Sequence, residues 1–389
     1  CLVGSEMCIR DSDNSVAMTL GNVINLGSRL TIAGNRDLDL SGALKGAGTL
    51  VKQGSATLAL TGSSNFLGTY QVDAGQLNLL GSNGTNAPWV TVGAAGILGV
   101  GADSTLQSLG GQGAVQVYNN SVLTLRNGTF AGSITGNGGL NIDFGSVALS
   151  GTSNLNGATA VSSGSLYVDG SLTTSSLSVA GGATLGGTGS VNGAVTIADG
   201  AYLQLDSTAT LTTGELTLNN DSHLDAWLGA AVAGSASMLK VNGDLLLDGT
   251  LDISDAGGFG LGVYRLIDYT GSLTDNGLSI GMIPAGLVSG DLEVQTSVAN
   301  QVNLLVGGAP GSVLFWSGSN GTWGSTASNW TNATGNFSQT WQDGFAVFQG
   351  TAGTVTVEGT QTTTGLQFAS DGYQLVAGTA RELNPVSYT

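Results

Sequence analysis

The chain has 389 residues, of which 65 are glycine, and its 9 basic and 26 acidic side chains give a formal net charge of −17. Only 9 % of residues are charged and 41 % are hydrophobic, which excludes disorder, since that requires low hydrophobicity and high charge; with four prolines, collagen is excluded as well. The acidity excludes charge-driven binding of nucleic acid or of an anionic membrane, both of which demand clustered Lys and Arg.

Both cysteines, Cys1 and Cys8, fall in the opening CLVGSEMCIRDS, which lacks the glycine-rich alternation that follows. This opening resembles a leader that recurs in conceptual translations of environmental sequence reads, so residues 1–12 are set aside as non-native. The body has no cysteine and can hold neither a disulfide framework nor a cysteine-based metal site. No secretory signal peptide is recognisable, and no apolar run reaches the roughly 18 residues of a membrane span.

From Leu20 onward the chain alternates in short apolar pairs. Leu58/Leu60, Leu77/Leu79, Val115/Val117, Leu123/Leu125, Leu166/Val168 and Leu177/Val179 each put two apolar residues on one strand face. Val195/Ile197, Leu203/Leu205, Leu216/Leu218, Leu245/Leu247, Leu251/Ile253 and Val302/Leu304 do the same. Gly, Asn, Asp and Ser turn signals separate them, and no helical periodicity of useful length occurs. A sandwich or propeller would show longer strands and matched hairpins. Short strands at close spacing, with glycine at tight bends, predict an all-β chain wound as a right-handed, single-stranded parallel β-helix. In such a solenoid one strand face points inward and each coil stacks on the next at about 4.8 Å.

Gly46 to Leu79 returns in degraded form further on. Gly62, Asn65, Gly68, Val72, Gly75, Leu77 and Leu79 recur as Gly151, Asn154, Gly157, Val161, Gly164, Leu166 and Val168, all at an offset of 89 positions. Fixed-offset similarity marks a repeat architecture whose units must stack to bury their apolar faces. Gly46, Gly48, Leu50, Lys52, Gly54, Leu58, Leu60 and Gly62 resemble the first half of the passenger-associated repeat of bacterial autotransporters, Gly-x-Gly-x-Leu-x-Lys-x-Gly leading into Leu-x-Leu-x-Gly. The second copy departs from it: Asp143 stands near the Lys position, and its Gly145 to Gly151 section is two residues shorter. Gly181 to Leu203 is similar to the Leu-Gly-Gly-x-Gly segments of such passengers, with Gln204 and Leu205 where Pro-Gly usually follows. Lys240 to Gly281, with SVANQVNLLV after it, resembles their later coils.

A boundary is expected at Gly307–Gly311. Beyond it stand Trp316, Trp323, Trp330 and Trp341, four of the six tryptophans, in a stretch that resembles the opening of a further passenger module. The domains are therefore read as a leader, residues 1–12, a β-helical passenger segment, residues 13–310, and a Trp-rich start of another module, residues 311–389. The resemblance implies a rigid, non-catalytic stalk for adhesion or self-association at the bacterial cell surface, outer membrane or outside the cell. It also implies a C-terminal outer-membrane barrel that this sequence does not contain, host or neighbouring-cell glycans or proteins, or the protein itself, as partners, and no direct membrane insertion.

Residues that could carry chemistry are few, and no catalytic, cofactor or metal residue is assigned. His223 is the sole histidine and no nucleophile motif accompanies it; it is expected on a strand or turn. Parallel β-helices also support polysaccharide lyases and hydrolases, so a β-helical carbohydrate-active enzyme is the alternative, and a passive spacer for a module elsewhere is another. Asp244, Asp248, Asp252 and Asp255, with Lys240 and Arg265 nearby, form the densest acidic region. They are read as turn and outward strand positions rather than catalytic or calcium-binding groups. Asn-x-Ser/Thr at Asn83, Asn119, Asn127, Asn320, Asn329, Asn332 and Asn336 is read as turn chemistry rather than as glycosylation. Trp316, Trp323 and Trp330 are read as packing rather than as a sugar-stacking ridge.

Overall fold

A computed structural model describes residues 7–9, 18–81, 83, 87–231, 236–307, 312–332, 335, 338–378 and 382–385. Two compact units are present: Cys1–Leu203 with Thr212–Thr217, and Gln204–Leu211 with Leu218–Thr389. No α-helix occurs among the described residues; one 3-10 turn spans Ser289–Asp291.

The first unit is a parallel β-solenoid, as the alternation predicts. Leu30, Leu50, Tyr70, Val90 and Leu109 are register partners in successive parallel strands. A second column runs Leu38, Leu58, Leu77, Leu98, Val115, Ile134. Every one of these side chains is buried. Each apolar pair of the sequence thus lands on the pair of the preceding coil, and the interior becomes stacked columns of Leu, Val and Ile. Hydrogen bonds from one coil to the next join residues 19 or 20 positions apart. Of the leader Cys1–Ser12, the described residues are Met7–Ile9, a strand paired in parallel with Leu30, Thr31 and Ile32.

Glycine fixes how closely coils approach. Gly93, Gly113, Gly132, Gly151, Gly170 and Gly189 stand in line along the unit; a Cβ on Gly151 would lie 2.0 Å from the Gly132 carbonyl oxygen, and one on Gly170 would lie 2.1 Å from that of Gly151. Gly62, the repeat counterpart of Gly151, stacks on Gly42 in the same manner. Another repeated pair, Gly75 and Gly164, has φ of 69° and 76°, a left-handed conformation that side chains rarely adopt. The repeat therefore marks places where the chain must turn or where backbone meets backbone.

Lys52, the basic position of the repeat, is buried. Its ammonium donates to the carbonyls of Gln53, Gly54 and Ala74 at 2.9, 3.0 and 3.2 Å, joining its own turn to that of the next coil. Burial lowers its pKa, an effect opposed by the nearby Asp37 carboxylate.

The second unit begins with longer coils. Hydrogen bonds between neighbouring coils here span 28 to 30 positions. His223–Gly229 pairs in parallel with Thr250–Gly257, and Leu245–Leu247 with Leu273–Asp275. The direction then reverses. Gln301–Val306 runs antiparallel to both Gly262–Tyr269 and Leu292–Gln295, a local departure from the all-parallel expectation for SVANQVNLLV. Asn300, at φ 65°, precedes this strand and returns the chain through a short loop.

Of the expected boundary Gly307–Gly311 only Gly307 is described. Strands after it form their own sheets: Val313–Trp316 pairs with Phe345–Phe348 in parallel and with Trp330–Thr331 in antiparallel. Trp316, Trp323, Trp330 and Trp341 gather in one buried cluster with Phe348. Trp323 meets Trp330 and Trp341 edge to face, with ring centroids 5.1 and 4.9 Å apart. Trp341 Nε1 donates to the Thr362 carbonyl. The Nε1 atoms of the other three have no conventional acceptor among the described residues, and edge-to-face packing is the arrangement that lets an N–H rest over a ring face.

Two stability experiments follow from this packing. Leu58 and Leu166 are 0 % exposed, so Leu58→Asp or Leu166→Asp, each burying an unpaired charge, should cost roughly 3 kcal/mol or more. Asp37 is exposed and accepts a hydrogen bond from Thr57 N through Oδ1, an acceptor that asparagine keeps. Asp37→Asn should change stability by about 0.5 kcal/mol or less; comparable denaturation midpoints for the three would refute the assigned faces.

The glycine line makes a second, independent expectation. Gly151→Ala should destabilise by about 1–3 kcal/mol because the new methyl overlaps backbone that cannot move away. Gly27 has nothing within 4 Å of its would-be Cβ, so Gly27→Ala should stay within about 0.5 kcal/mol of the parent. Equal chemical-denaturation curves for the two variants would contradict the close approach.

Candidate functional site

The outer strand positions are hydroxyl and amide groups that bond to one another across coils. Ser190 Oγ donates to Ser171 Oγ at 3.2 Å, and Asn192 Nδ2 lies 3.3 and 3.4 Å from Ser171 Oγ and Thr173 Oγ1. Ser162 Oγ donates to Asn141 Oδ1 at 2.7 Å, and Thr61 Oγ1 to Asp39 Oδ1 at 2.6 Å. A strand face that alternates with buried Leu and Val must place these groups outward, and register repeats them from coil to coil. The outcome is a laddered, largely uncharged polar surface. Single large apolar side chains interrupt it, among them Trp89, Phe144 and Trp227.

One patch of the second unit concentrates titratable groups. His223 lies on the strand His223–Gly229, in accord with the sequence, and its Nδ1–H donates to Asp252 Oδ2 at 2.7 Å. Asp252 Oδ1 accepts from Met282 N at 2.7 Å. Asp225 faces Asp252 in register. Its Oδ1 is buried without a hydrogen-bond partner among the described residues. Burial raises the Asp225 pKa, the Asp252 carboxylate raises it further, and His223 pulls it back. Trp227 is exposed further along the same strand.

The other acids serve the backbone. Asp244 Oδ1 accepts from Ser272 N, Asp248 Oδ1 from Gly249 N, and Asp255 Oδ1 from the amides of Gly257 and Phe259. These three match the turn and outward positions read from sequence. Asp252 does not match. It is 7 % exposed, because the segment at Gly281 and Met282 packs over it and its carboxylate joins His223 to the next coil. The contact bridges 29 positions, a spacing that the shorter coils earlier in the chain give no means to foresee. Lys240 is exposed opposite Asp268 in register, and Arg265 Nε is 2.6 Å from Asp268 Oδ1. Among the described residues no group of three or more His, Cys, Asp or Glu side chains is arranged to hold a metal ion.

The asparagines of the Asn-x-Ser/Thr positions mostly tie down turns. Asn83 is buried and donates to the Thr105 carbonyl; Asn119, at φ 56°, donates to that of Gly101. Asn127 and Asn320 accept from the amides of Ser146 and Thr354, and Asn329 donates to the Thr322 carbonyl. Asn332 is exposed, and Asn336 lies outside the described residues. Trp316, Trp323 and Trp330 present no ridge, since all three are in the core.

The Asp225 environment has a measurable consequence. A carboxyl whose folded pKa is raised adds stability that is complete below its unfolded value, 3.8, and is lost as pH rises through the folded value. Asp225→Asn should therefore raise the thermal midpoint at neutral pH, with the gain shrinking as pH falls toward about 4. A gain independent of pH, or a loss at pH 7, would contradict the raised pKa.

No protein-family model matches the chain. Over 202 residues it is 44 % identical to the "Adhesin BmaC autotransporter" of Brucella suis biovar 1 (strain 1330), a match that covers 46 % of this chain. The match accounts for only 6 % of that protein's length. Together with the repeat motifs and the parallel solenoid, this relative fits the chain to an autotransporter passenger segment.

Proposed function

We propose that the chain is a rigid, non-catalytic β-helical stalk that supports adhesion or self-association at the bacterial cell surface or outside the cell. The observation that carries this reading is the outer ladder of Ser, Thr, Asn and Asp over a closed apolar interior. Such a surface repeats weak donors and acceptors along the coils and suits polyvalent, non-covalent contact. Similarity to a protein named as an adhesin supports the same reading. An outer-membrane barrel elsewhere in the full-length protein would supply the anchor. No helix among the described residues is long and apolar enough to cross a membrane. Host or neighbouring-cell glycans or proteins, or a second copy, are the proposed partners; nucleic acid is not, given the charge of −17.

A β-helical carbohydrate-active enzyme is the second reading, and one feature favours it. Asp225 and Asp252 face each other with unlike environments, one with a buried oxygen unpartnered among the described residues and one hydrogen-bonded, as paired general acids and bases are. Against it stands the absence of a nucleophile motif and of grouped basic residues in the sequence.

Two assays separate these readings from a passive spacer. Beads coated with the purified chain should adhere to host cells or to one another above the level of beads coated with denatured chain; equal retention would favour the spacer. No turnover of polysaccharide, ester or peptide substrates should be detectable. Turnover that disappears in His223→Ala, Asp244→Asn, Asp248→Asn or Asp252→Asn would establish the enzyme instead.

A further inference from the structure

A second polar constellation, apart from the His223 patch, lies in the second unit beside the strand reversal. Arg265 and Asn303 are register partners across the antiparallel pair, and Asn303 is also the partner of Gln295. Asn303 Nδ2 donates to Gln295 Oε1 at 3.0 Å and lies 3.4 Å from Gln301 Oε1. Opposite them, Gln367 grips the backbone of Val263 at both ends: its Oε1 accepts from Val263 N and its Nε2 donates to Val263 O, each at 2.7 Å. Between these elements is a cleft of about 230 Å³, with Arg265, Gln301, Asn303, Gln349 and Gln367 on its wall.

Placing amides here runs against the habit of the molecule. Elsewhere the interior is mostly apolar, and a buried amide costs stability unless its bonds are made. Gln295, Asn303 and Gln367 are nevertheless among the most buried polar side chains, held by one another and by backbone. They are fixed in position before any ligand arrives. Some of the polar capacity remains unspent. Among the described residues, Asn303 Oδ1, Gln301 Nε2 and the whole Gln349 amide have no hydrogen-bond partner. Val263, Val298 and Ala369 supply an apolar side to the same cleft.

We propose that this cleft binds a single neutral monosaccharide ring, such as the terminal unit of a glycan. Paired amide donors and acceptors match adjacent sugar hydroxyls, which both donate and accept. The apolar side matches the C–H face of the ring. The volume is below the roughly 300 Å³ at which drug-sized pockets begin, and it suits one ring. Charge decides against an acidic sugar. The Arg265 guanidinium is already engaged by Asp268 at 2.6 Å, and the chain carries −17 overall, so an added carboxylate meets net repulsion. Arg265 retains N–H groups beyond Nε for neutral hydroxyl oxygens.

The test uses the purified chain and separate titrations with D-glucose, D-galactose, D-mannose and N-acetyl-D-glucosamine, with D-glucuronate as the charged comparison. Saturation-transfer NMR should detect at least one neutral sugar, with a dissociation constant on the order of 1 mM. The side-chain amide signals of Gln301, Asn303 and Gln349 should shift during that titration. Gln349→Ala should weaken binding about fivefold or more, the loss of roughly one hydrogen bond, without moving the thermal midpoint. Binding of no neutral sugar, tighter binding of glucuronate, or unchanged affinity in Gln349→Ala with unshifted amide signals would overturn the assignment. Because soluble sugars are used, the result is independent of whether the coated beads adhere.

Discussion

The contact between one coil and the next is what the rest of the molecule depends on. Parallel strands stacked at about 4.8 Å leave no room for a side chain where two turns coincide, so glycine occupies those places. The Gly93 to Gly189 line is the visible form of that requirement, with each carbonyl where the next residue's Cβ would stand. Once the turns are in contact, register is set, and register delivers the other features. Leucines fall on leucines, outer hydroxyls fall within hydrogen-bond reach of one another, and Lys52 finds carbonyls of two coils around its ammonium. Burying a lysine is tolerable only because each of its donors meets an acceptor.

Much of this was legible in the sequence because a solenoid turns local pattern directly into geometry. Leu58/Leu60 and Leu166/Val168 alternate in the sequence and point inward in the fold. Gly62 and Gly151 recur at equivalent positions because the same backbone approach recurs. The tryptophans after residue 311 lie in the core despite the Gly, Ser and Asn around them, because large aromatics gain most from burial. Burial, glycine spacing and outward polarity are all one-dimensional signals, readable along the chain.

What stayed hidden depends on distances that the pattern does not encode. His223 and Asp252 meet only because coils in that region lengthen to between 28 and 30 positions, and nothing in the Asp-rich stretch announces the change. Gln301–Val306 has the same alternation whether it runs with its neighbours or against them, so its reversal is invisible to periodicity. The buried amides Gln295, Asn303 and Gln367 look like surface residues in sequence. Their partners lie across the reversal and, for Gln367, 104 positions away.

The reversal also changes how the second unit comes apart. In a parallel stack each coil is held by its neighbours alone, and melting spreads from coil to coil. Leu292–Gln295 and Gln301–Val306 form instead a hairpin with a short loop, whose closure costs little entropy and whose pairing is recovered quickly after opening. A melting front that travels along the coils to Gly262–Tyr269 meets an element that re-forms from its own residues. The Asn303–Gln295 contact on one side of the amide-lined cleft is therefore made within a local hairpin, and its formation does not wait on a neighbouring coil.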